Sequence, residues 1–360
     1  MNKTLLFFFS LSIVLSACTQ PESKVEVKKR IAKGNRAYGG TFKLNENEEC
    51  QTLFPYSIID AVSSRIVAQI YEGLVKKSSK DLSIKPSIAE SWEIDTTGTI
   101  YTFKLKKGIY FHDDPCFPNG KGREVTAQDF KFSFEMLCTQ KINDSIENVM
   151  FAQTLKNRVL GANKFYEASK KGKPNFDLEG VKVIDDYTLQ ITLSKPNMSF
   201  IYILAYPEVS VIPREGLEKY GEMLTIGTGP FVFFDWYEED NKETGESEEF
   251  LVLTRNENYH GYDTLGNQLP YLDTIFTSFI NSQKRELKMF QEKKLDIVLG
   301  IPAESIRDIV EQQIAYFEKK PPEFILERSA DMATNYYSFI LGSNGIGELR
   351  EKFSVLNFHD

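Results

Sequence analysis

The chain has 360 residues, 41% of them hydrophobic and 26% charged, with a formal net charge of −8 at pH 7. That balance describes a globular body rather than a disordered one, and the acidic excess argues against a nucleic-acid-binding surface. Four cysteines and three histidines, with no Cys-x-x-Cys, exclude a disulfide scaffold and leave a zinc or thioredoxin-like site without a foundation.

In chain order, Met1 to Cys18 carries a basic residue at Lys3, an apolar core from Leu5 to Leu15 and small residues before a cleavage point, the three parts of a secretory signal. The core is too short to span a bilayer as a mature helix. Residues 1–17 therefore read as a signal peptide. Leu15-Ser16-Ala17-Cys18 resembles a bacterial lipobox, which implies that Cys18 becomes a lipid-carrying first residue; the other reading is an ordinary signal with an incidental cysteine. Acyl chains on Cys18 would tether the protein to a membrane outside the cytoplasm, each buried methylene contributing roughly 0.8 kcal/mol. Residues 18–37 are polar and aperiodic, a flexible linker. The body after this linker exceeds the usual single-domain size, so two domains are expected. Cys50, Cys116 and Cys138 remain; a pair among them is open in an oxidising compartment.

Tyr38-Gly39-Gly40-Thr41-Phe42-Lys43-Leu44 reads as the first strand, and Ile59 to Val75 as a helix with Ile66, Ile70 and Leu74 on one side. Tyr101, Phe103 and Leu105 alternate with Thr102 and Lys104, the period of a half-buried strand. A short strand is expected over Ile109–His112. Thr126 with Asp129 three residues on predicts a capped helix start, followed by Phe130, Phe134 and Leu137 at helical spacing. Val181 to Leu193 reads as a hairpin around Asp185-Asp186, and Phe231 to Trp236 as a strand.

Several patterns invite chemistry. His112-Asp113-Asp114 suggests a metal or an acid–base pair, but no second histidine lies nearby and a metal site needs about three protein ligands, so a structural turn is expected. Gly227-Thr228-Gly229-Pro230 resembles a phosphate cradle, yet it opens a strand rather than a helix and no Gly-Lys-Ser/Thr comes after it. Neither Gly-x-Ser-x-Gly nor His-Glu-x-x-His is present, so no catalytic residue is assigned.

Four blocks then occur in a telling order: Tyr71-Glu72-Gly73-Leu74; Ala89-Glu90-Ser91-Trp92; Phe103-Lys104-Leu105 with Gly108 and Phe111-His112-Asp113; and Thr126-Ala127-Gln128-Asp129-Phe130. Together they resemble the extracytoplasmic solute-binding proteins of the peptide and nickel ABC transporter family, family 5, which includes oligopeptide- and dipeptide-binding proteins. Gly227-Thr228-Gly229-Pro230-Phe231, Leu251 to Tyr259, Pro270 to Ile275 and Lys288 to Ile297 match later blocks, so the likeness runs from about Gly39 to Tyr337.

The resemblance implies an α/β, periplasmic-binding-protein-like bilobal fold of type II, with most of the second lobe missing. It implies a main lobe at 38–60 and 181–333, an extra subdomain of that lobe at 61–180, and the start of an incomplete second lobe at 334–360. A truncated form with a bare cleft face and unpaired strand edges is therefore expected. The implied function is a substrate-binding lipoprotein of an ABC importer, which captures peptides outside the cytoplasm and delivers them to permease and ATPase subunits. Glu49, Cys50 and Gln51 fall in the loop whose backbone would pair with an extended peptide, and Tyr336 would look into the cleft. No cofactor and no metal are implied. An extracytoplasmic hydrolase using Asp113 and Asp114, or a ligand-sensing receptor without import, are the alternatives.

Overall fold

The structure is a computed structural model, which places residues 30–302 except 143–145 and 243–244, together with 304–307 and 309. The chain divides after Pro302 into two units, the first of which carries the elements named below.

β1 (Thr41–Glu46) comes directly after the Gly39-Gly40 pair. α1 (Ala61–Ile70) starts at Asp60, whose Oδ1 accepts the Ser63 amide at 2.7 Å, and buries Val62, Ile66, Val67 and Ile70. The apolar spacing predicts a helix reaching Val75; it stops at Ile70. Tyr71 to Leu74 turn inward and are buried, Tyr71 donating its hydroxyl to the Leu224 carbonyl at 2.6 Å. Val75 then opens a small hairpin, β2 (Val75–Lys77) with β3 (Ile84–Pro86). Tertiary burial of the Tyr71–Leu74 segment overrides the helical period here.

β4 (Ala89–Ile94) and β5 (Ile100–Leu105) pair antiparallel around a turn in which Asp95 Oδ1 accepts the Thr99 and Ile100 amides at 2.9 and 2.8 Å. In β5, Tyr101, Phe103 and Leu105 are buried while Lys104 is exposed, as their alternation predicts. The strand expected at 109–112 is only a single bridge between Tyr110 and Glu124. α2 (Ala127–Leu137) has the predicted capping box, and Asp129 also holds Arg123 by two bonds of 2.7 and 3.0 Å. α3 (Ala162–Ser169) comes next.

β6 (Val181–Asp185) and β7 (Thr188–Thr192) form the expected hairpin, but it does not return to the main lobe. β7 pairs with β5, giving one sheet in the order β6-β7-β5-β4. The expected boundary at residue 181 therefore cuts a sheet that closes only at Thr192. Buried Leu189 and Ile191 share a face with Phe103 and Tyr101 across the strand pair, which fixes the register.

Past α4 (Arg214–Tyr220), three strands β8 (Phe231–Asp240), β9 (Ser247–Arg255) and β10 (Thr274–Phe279) join β1 in the four-stranded main sheet, in the order β8-β9-β10-β1. β10 and β1 run parallel, so both end at the same edge of the sheet. The outer side of β1 is not bare throughout: the Lys43 amide donates to Asp296 Oδ2 at 2.7 Å and the Asp296 amide to the Lys43 carbonyl at 2.8 Å. α5 (Gln283–Gln291) precedes that contact.

Three tyrosines, Tyr56, Tyr71 and Tyr101, are fully buried in the core, and each hydroxyl donates to a backbone carbonyl, at Ser210, Leu224 and Asn197. Each therefore keeps its apolar contribution of about 1.5–3 kcal/mol without stranding a polar tip.

Candidate functional site

The parallel pair β1/β10 ends in a group of buried polar side chains. Asn45 is fully buried; its Oδ1 accepts from the Ser278 hydroxyl and the Ile280 amide, both at 2.9 Å, while its Nδ2 donates to the Ile280 carbonyl at 3.1 Å. Beside it, Glu46 accepts both prongs of Arg65 from α1, at 2.9 and 2.6 Å. These bonds lock the strand ends in place, since a buried polar group without a partner costs about 1–3 kcal/mol.

The chain leaves this anchored end as a loop. Ser63 Oγ accepts the amides of Gln51 and Thr52 at 3.0 and 3.3 Å, pinning the far side to α1. Cys50 turns its thiol inward, 3.6 Å from both the Ser63 hydroxyl and the Thr52 carbonyl, and burial pushes that thiol up to about 11. Glu49 and Gln51 face solvent. Among the described residues no hydrogen bond engages the amides of Glu48, Glu49 or Cys50. The loop therefore presents backbone groups and two exposed side chains, with the cysteine side chain withdrawn.

Two residues from the main sheet stand near this loop and carry no signal of their own in the sequence. The Trp236 indole donates to the Glu249 carboxylate across the β8–β9 pair. Burial raises the Glu249 carboxyl, with the negative charges of Glu49 and Glu238 adding to the effect. Trp236 is legible only as the end of a strand; its acidic partner thirteen positions on becomes visible once the register pairs Tyr237 with Phe250 and Glu238 with Glu249. Tyr336 and Cys18 lie outside the described residues.

The patterns that invited chemistry have structural partners. His112 is buried; its Nδ1 faces the Gly227 amide at 3.3 Å and its Nε2 the Gly229 carbonyl at 3.0 Å, which assigns the neutral ring with the proton on Nε2. Burial pushes its pKa down to about 4. Asp113 accepts from Lys121 at 2.6 Å and from the Gly122 amide, whereas Asp114 accepts from the Cys116 amide and the Tyr220 hydroxyl. The two carboxylates thus serve different loops. The glycines at 227 and 229 are required by close approach: a Cβ on Gly227 would lie 2.0 Å from the Ile70 carbonyl oxygen, and one on Gly229 2.4 Å from that of Gln69. That loop caps the end of α1, with the Gly229 amide donating to Ile70 at 2.8 Å.

The same junction holds the most elaborate polar cluster. Glu72 is buried and receives the hydroxyls of Ser87 at 3.2 Å, Thr228 at 3.1 Å and Tyr259 at 3.1 Å, together with His260 Nε2 at 2.6 Å. Burial would raise this carboxyl, but the bond and charge of His260 outweigh it and the net shift is downward. Widely separated stretches of the sequence meet on one carboxylate, which serves as a clamp between the two sheets. Among the described residues no group of three or more His, Cys, Asp or Glu side chains could hold a metal ion. Cys50, Cys116 and Cys138 are free thiols, so the pairing left open by the sequence is not made.

The profile of the bacterial extracellular solute-binding proteins, family 5 middle region, matches residues 83–353. The periplasmic oligopeptide-binding protein OppA of Escherichia coli K12 is 28% identical over 263 residues, 71% of this chain and 42% of OppA. Heme-binding protein A of Haemophilus influenzae is 30% identical over 243 residues, 65% of this chain and 41% of that protein. Among solved structures, a periplasmic oligopeptide-binding protein of Borrelia burgdorferi superposes with a TM-score of 0.61 at 24% identity, covering 75% of this chain and 49% of its own. The fold is that of the periplasmic binding proteins, and the chain spans less than half the length of these relatives. The chain belongs to the bacterial extracellular solute-binding proteins of family 5.

Proposed function

We propose that this family 5 chain supplies the ligand-gripping lobe of an ABC importer's substrate-binding lipoprotein, taking peptides outside the cytoplasm and passing them to membrane permease and ATPase subunits. The observation that carries the reading is the run of backbone at Glu48–Cys50 whose amides no described residue engages, held on both sides by Glu46–Arg65 and by Ser63. A rigidly held but unpaired backbone suits strand addition, in which main-chain bonds give affinity while tolerating varied side chains. Glu49 and Gln51 would flank the ligand, Cys50 would contribute its backbone alone, and Tyr336 would close the site from the crossing strand. The residues at 334–360 would begin the opposing lobe. Oligopeptide binding in OppA and heme binding in the Haemophilus protein frame the choice of ligand; the free amides favour a peptide.

In this reading Cys18 is acylated and residues 18–37 let the body move over the outer face of the membrane. The reaction is capture and release without turnover, since Asp113 and Asp114 are committed to separate loops. Native mass spectrometry of the chain secreted from its own signal should release a set of short peptides of mixed sequence. Recovery of a single non-peptide species, or cleavage of added labelled peptides, would refute it. For the anchor, Cys18→Ser should abolish incorporation of labelled palmitate.

A further inference from the structure

Lysines without an ion pair among the described residues gather on one small hairpin of an otherwise acidic chain. β2 and β3 pair with Lys76 directly opposite Lys85, a placement in which like charges repel. Lys80 lies in the turn, and residues 75–86 hold four lysines against one aspartate. That aspartate, Asp81, is committed to the turn: its Oδ1 accepts the Ser83 amide at 3.1 Å and hydroxyl at 2.7 Å. Lys106, just past β5, joins the group. Its ammonium donates to the Ser87 carbonyl at 2.5 Å, and burial together with the charge of Lys76 lowers its pKa. The carboxylates whose charge acts on it are Glu72, buried among four donors, and Glu90. Among the described residues, the lysines in ion pairs lie elsewhere, at Lys121, Lys131, Lys170, Lys288 and Lys294.

The tip is apolar. Leu82 is 45% exposed and sits at φ +57°, a region that a bulky side chain enters only at a cost. A glycine or asparagine would suit that turn better. On the other side of the hairpin, the Lys77 ammonium lies 3.9 Å from the centroid of the Tyr206 ring, which is itself 45% exposed. A projecting leucine, a rim of ammonium groups without an ion pair among the described residues and a half-exposed tyrosine break three local preferences around one short hairpin, and local preferences are broken mainly where function requires it.

We propose that the β2–β3 hairpin docks on an anionic phospholipid bilayer, its lysines meeting headgroup phosphates and Leu82 entering the acyl boundary. Charge complementarity selects this occupant. A broad negative sheet can satisfy Lys76, Lys80, Lys85 and Lys106 together, and lysine, tyrosine and an exposed aliphatic side chain are the residues that suit a membrane interface. The remainder of the chain is acidic, so the same field that draws the hairpin in would repel the rest and fix the orientation of the body. This inference does not depend on the ligand being a peptide.

The test is sedimentation of residues 18–360 carrying Cys18→Ser, so that neither the apolar leader nor an acyl anchor contributes, with vesicles of equal parts phosphatidylcholine and phosphatidylglycerol. Binding is expected to be strong at low salt, weak at high salt and absent on phosphatidylcholine alone. Lys76→Glu with Lys85→Glu should weaken it by tenfold or more, since each lysine near an anionic surface contributes about fivefold. Leu82→Gln should weaken it less, and Lys171→Glu with Lys173→Glu, a change of equal charge at another exposed site, should weaken it clearly less than the hairpin pair. Unchanged thermal transitions would establish that the variants are folded. No binding to the anionic vesicles, or equal losses for the two lysine pairs, would overturn the proposal.

Discussion

Two buried glutamates at opposite places in the fold are treated in opposite ways. Glu72, between the sheets, has three hydroxyls and His260 around it, and its carboxyl is lowered. Glu286, fully buried near the end of β1, receives, among the described residues, the Asn47 amide nitrogen at 3.1 Å and the Leu299 amide at 3.2 Å. Burial raises its carboxyl, and the charge of Glu46 raises it further. The junction between the sheets is electrostatically complete, whereas the end of β1 carries an acid with no ion pair among the described residues. Under the proposed function that end faces the ligand, and incomplete polar pairing there fits a surface that a ligand would complete.

The sharpest way to break the contrast is Glu72→Ala. It leaves four donors in a buried site without their acceptor, and unfolding free energy measured in urea should fall by about 3–5 kcal/mol. His112→Ala, which strands the Gly227 amide and leaves the Gly229 carbonyl with Asn256 as its remaining donor at 2.9 Å, should cost about 2–3 kcal/mol. Its histidine also sets a pH dependence. The unfolded chain takes up a proton near 6.5, while the folded ring refuses it down to about 4. Stability should therefore decline as pH falls through that window, by at most about 1.4 kcal/mol per pH unit, and His112→Asn should flatten the decline.

Much of this junction is legible in the sequence. The Thr126–Asp129 cap, the alternation in β5 and the hairpin at Asp185-Asp186 are set by spacing because each depends on neighbours in the chain. Glu72 is visible there only as a letter in a motif, since Ser87, Thr228, Tyr259 and His260 are brought to it by the fold. The end of α1 is hidden for a related reason: the helical period continues through Leu74, but the glycines at 227 and 229 come so close to the end of α1 that the chain turns at Tyr71. At the open end, the sequence marks the loop at 49–51 but not the inward turn of Cys50. Its thiol direction depends on Ser63, thirteen positions away.

Glu286→Gln probes the other half of the contrast at smaller scale. Among the described residues the buried Asn47 Oδ1 has no partner, while its Nδ2 donates to Glu286 Oε2; with glutamine at 286 still accepting the Leu299 amide, the Asn47 amide turns over so that its Oδ1 accepts from the new amide nitrogen, and the buried charge is gone. The variant should gain about 1 kcal/mol at neutral pH. The sign with pH is opposite to that of Glu72: a raised acid gives stability at low pH that is lost as pH rises through its folded pKa, whereas the lowered Glu72 gives stability that is lost as pH falls through its own. Denaturation from pH 2 to 8 should therefore show differences from the parent that slope in opposite directions, for Glu72→Gln below the ordinary glutamate value and for Glu286→Gln above it. The smallest effect is expected from Cys50→Ser. Because the thiol points away from solvent, peptide affinity should be nearly unchanged even if stability drops by about 1 kcal/mol.

Amide hydrogen exchange of the full chain, with and without a mixed peptide pool, reads the backbone directly. Slowed exchange confined to Glu48–Cys50 and their neighbours, with the Glu72 junction unchanged, is the predicted result. Exchange at those amides that is indifferent to peptide, while protection appears elsewhere or nowhere, would contradict it.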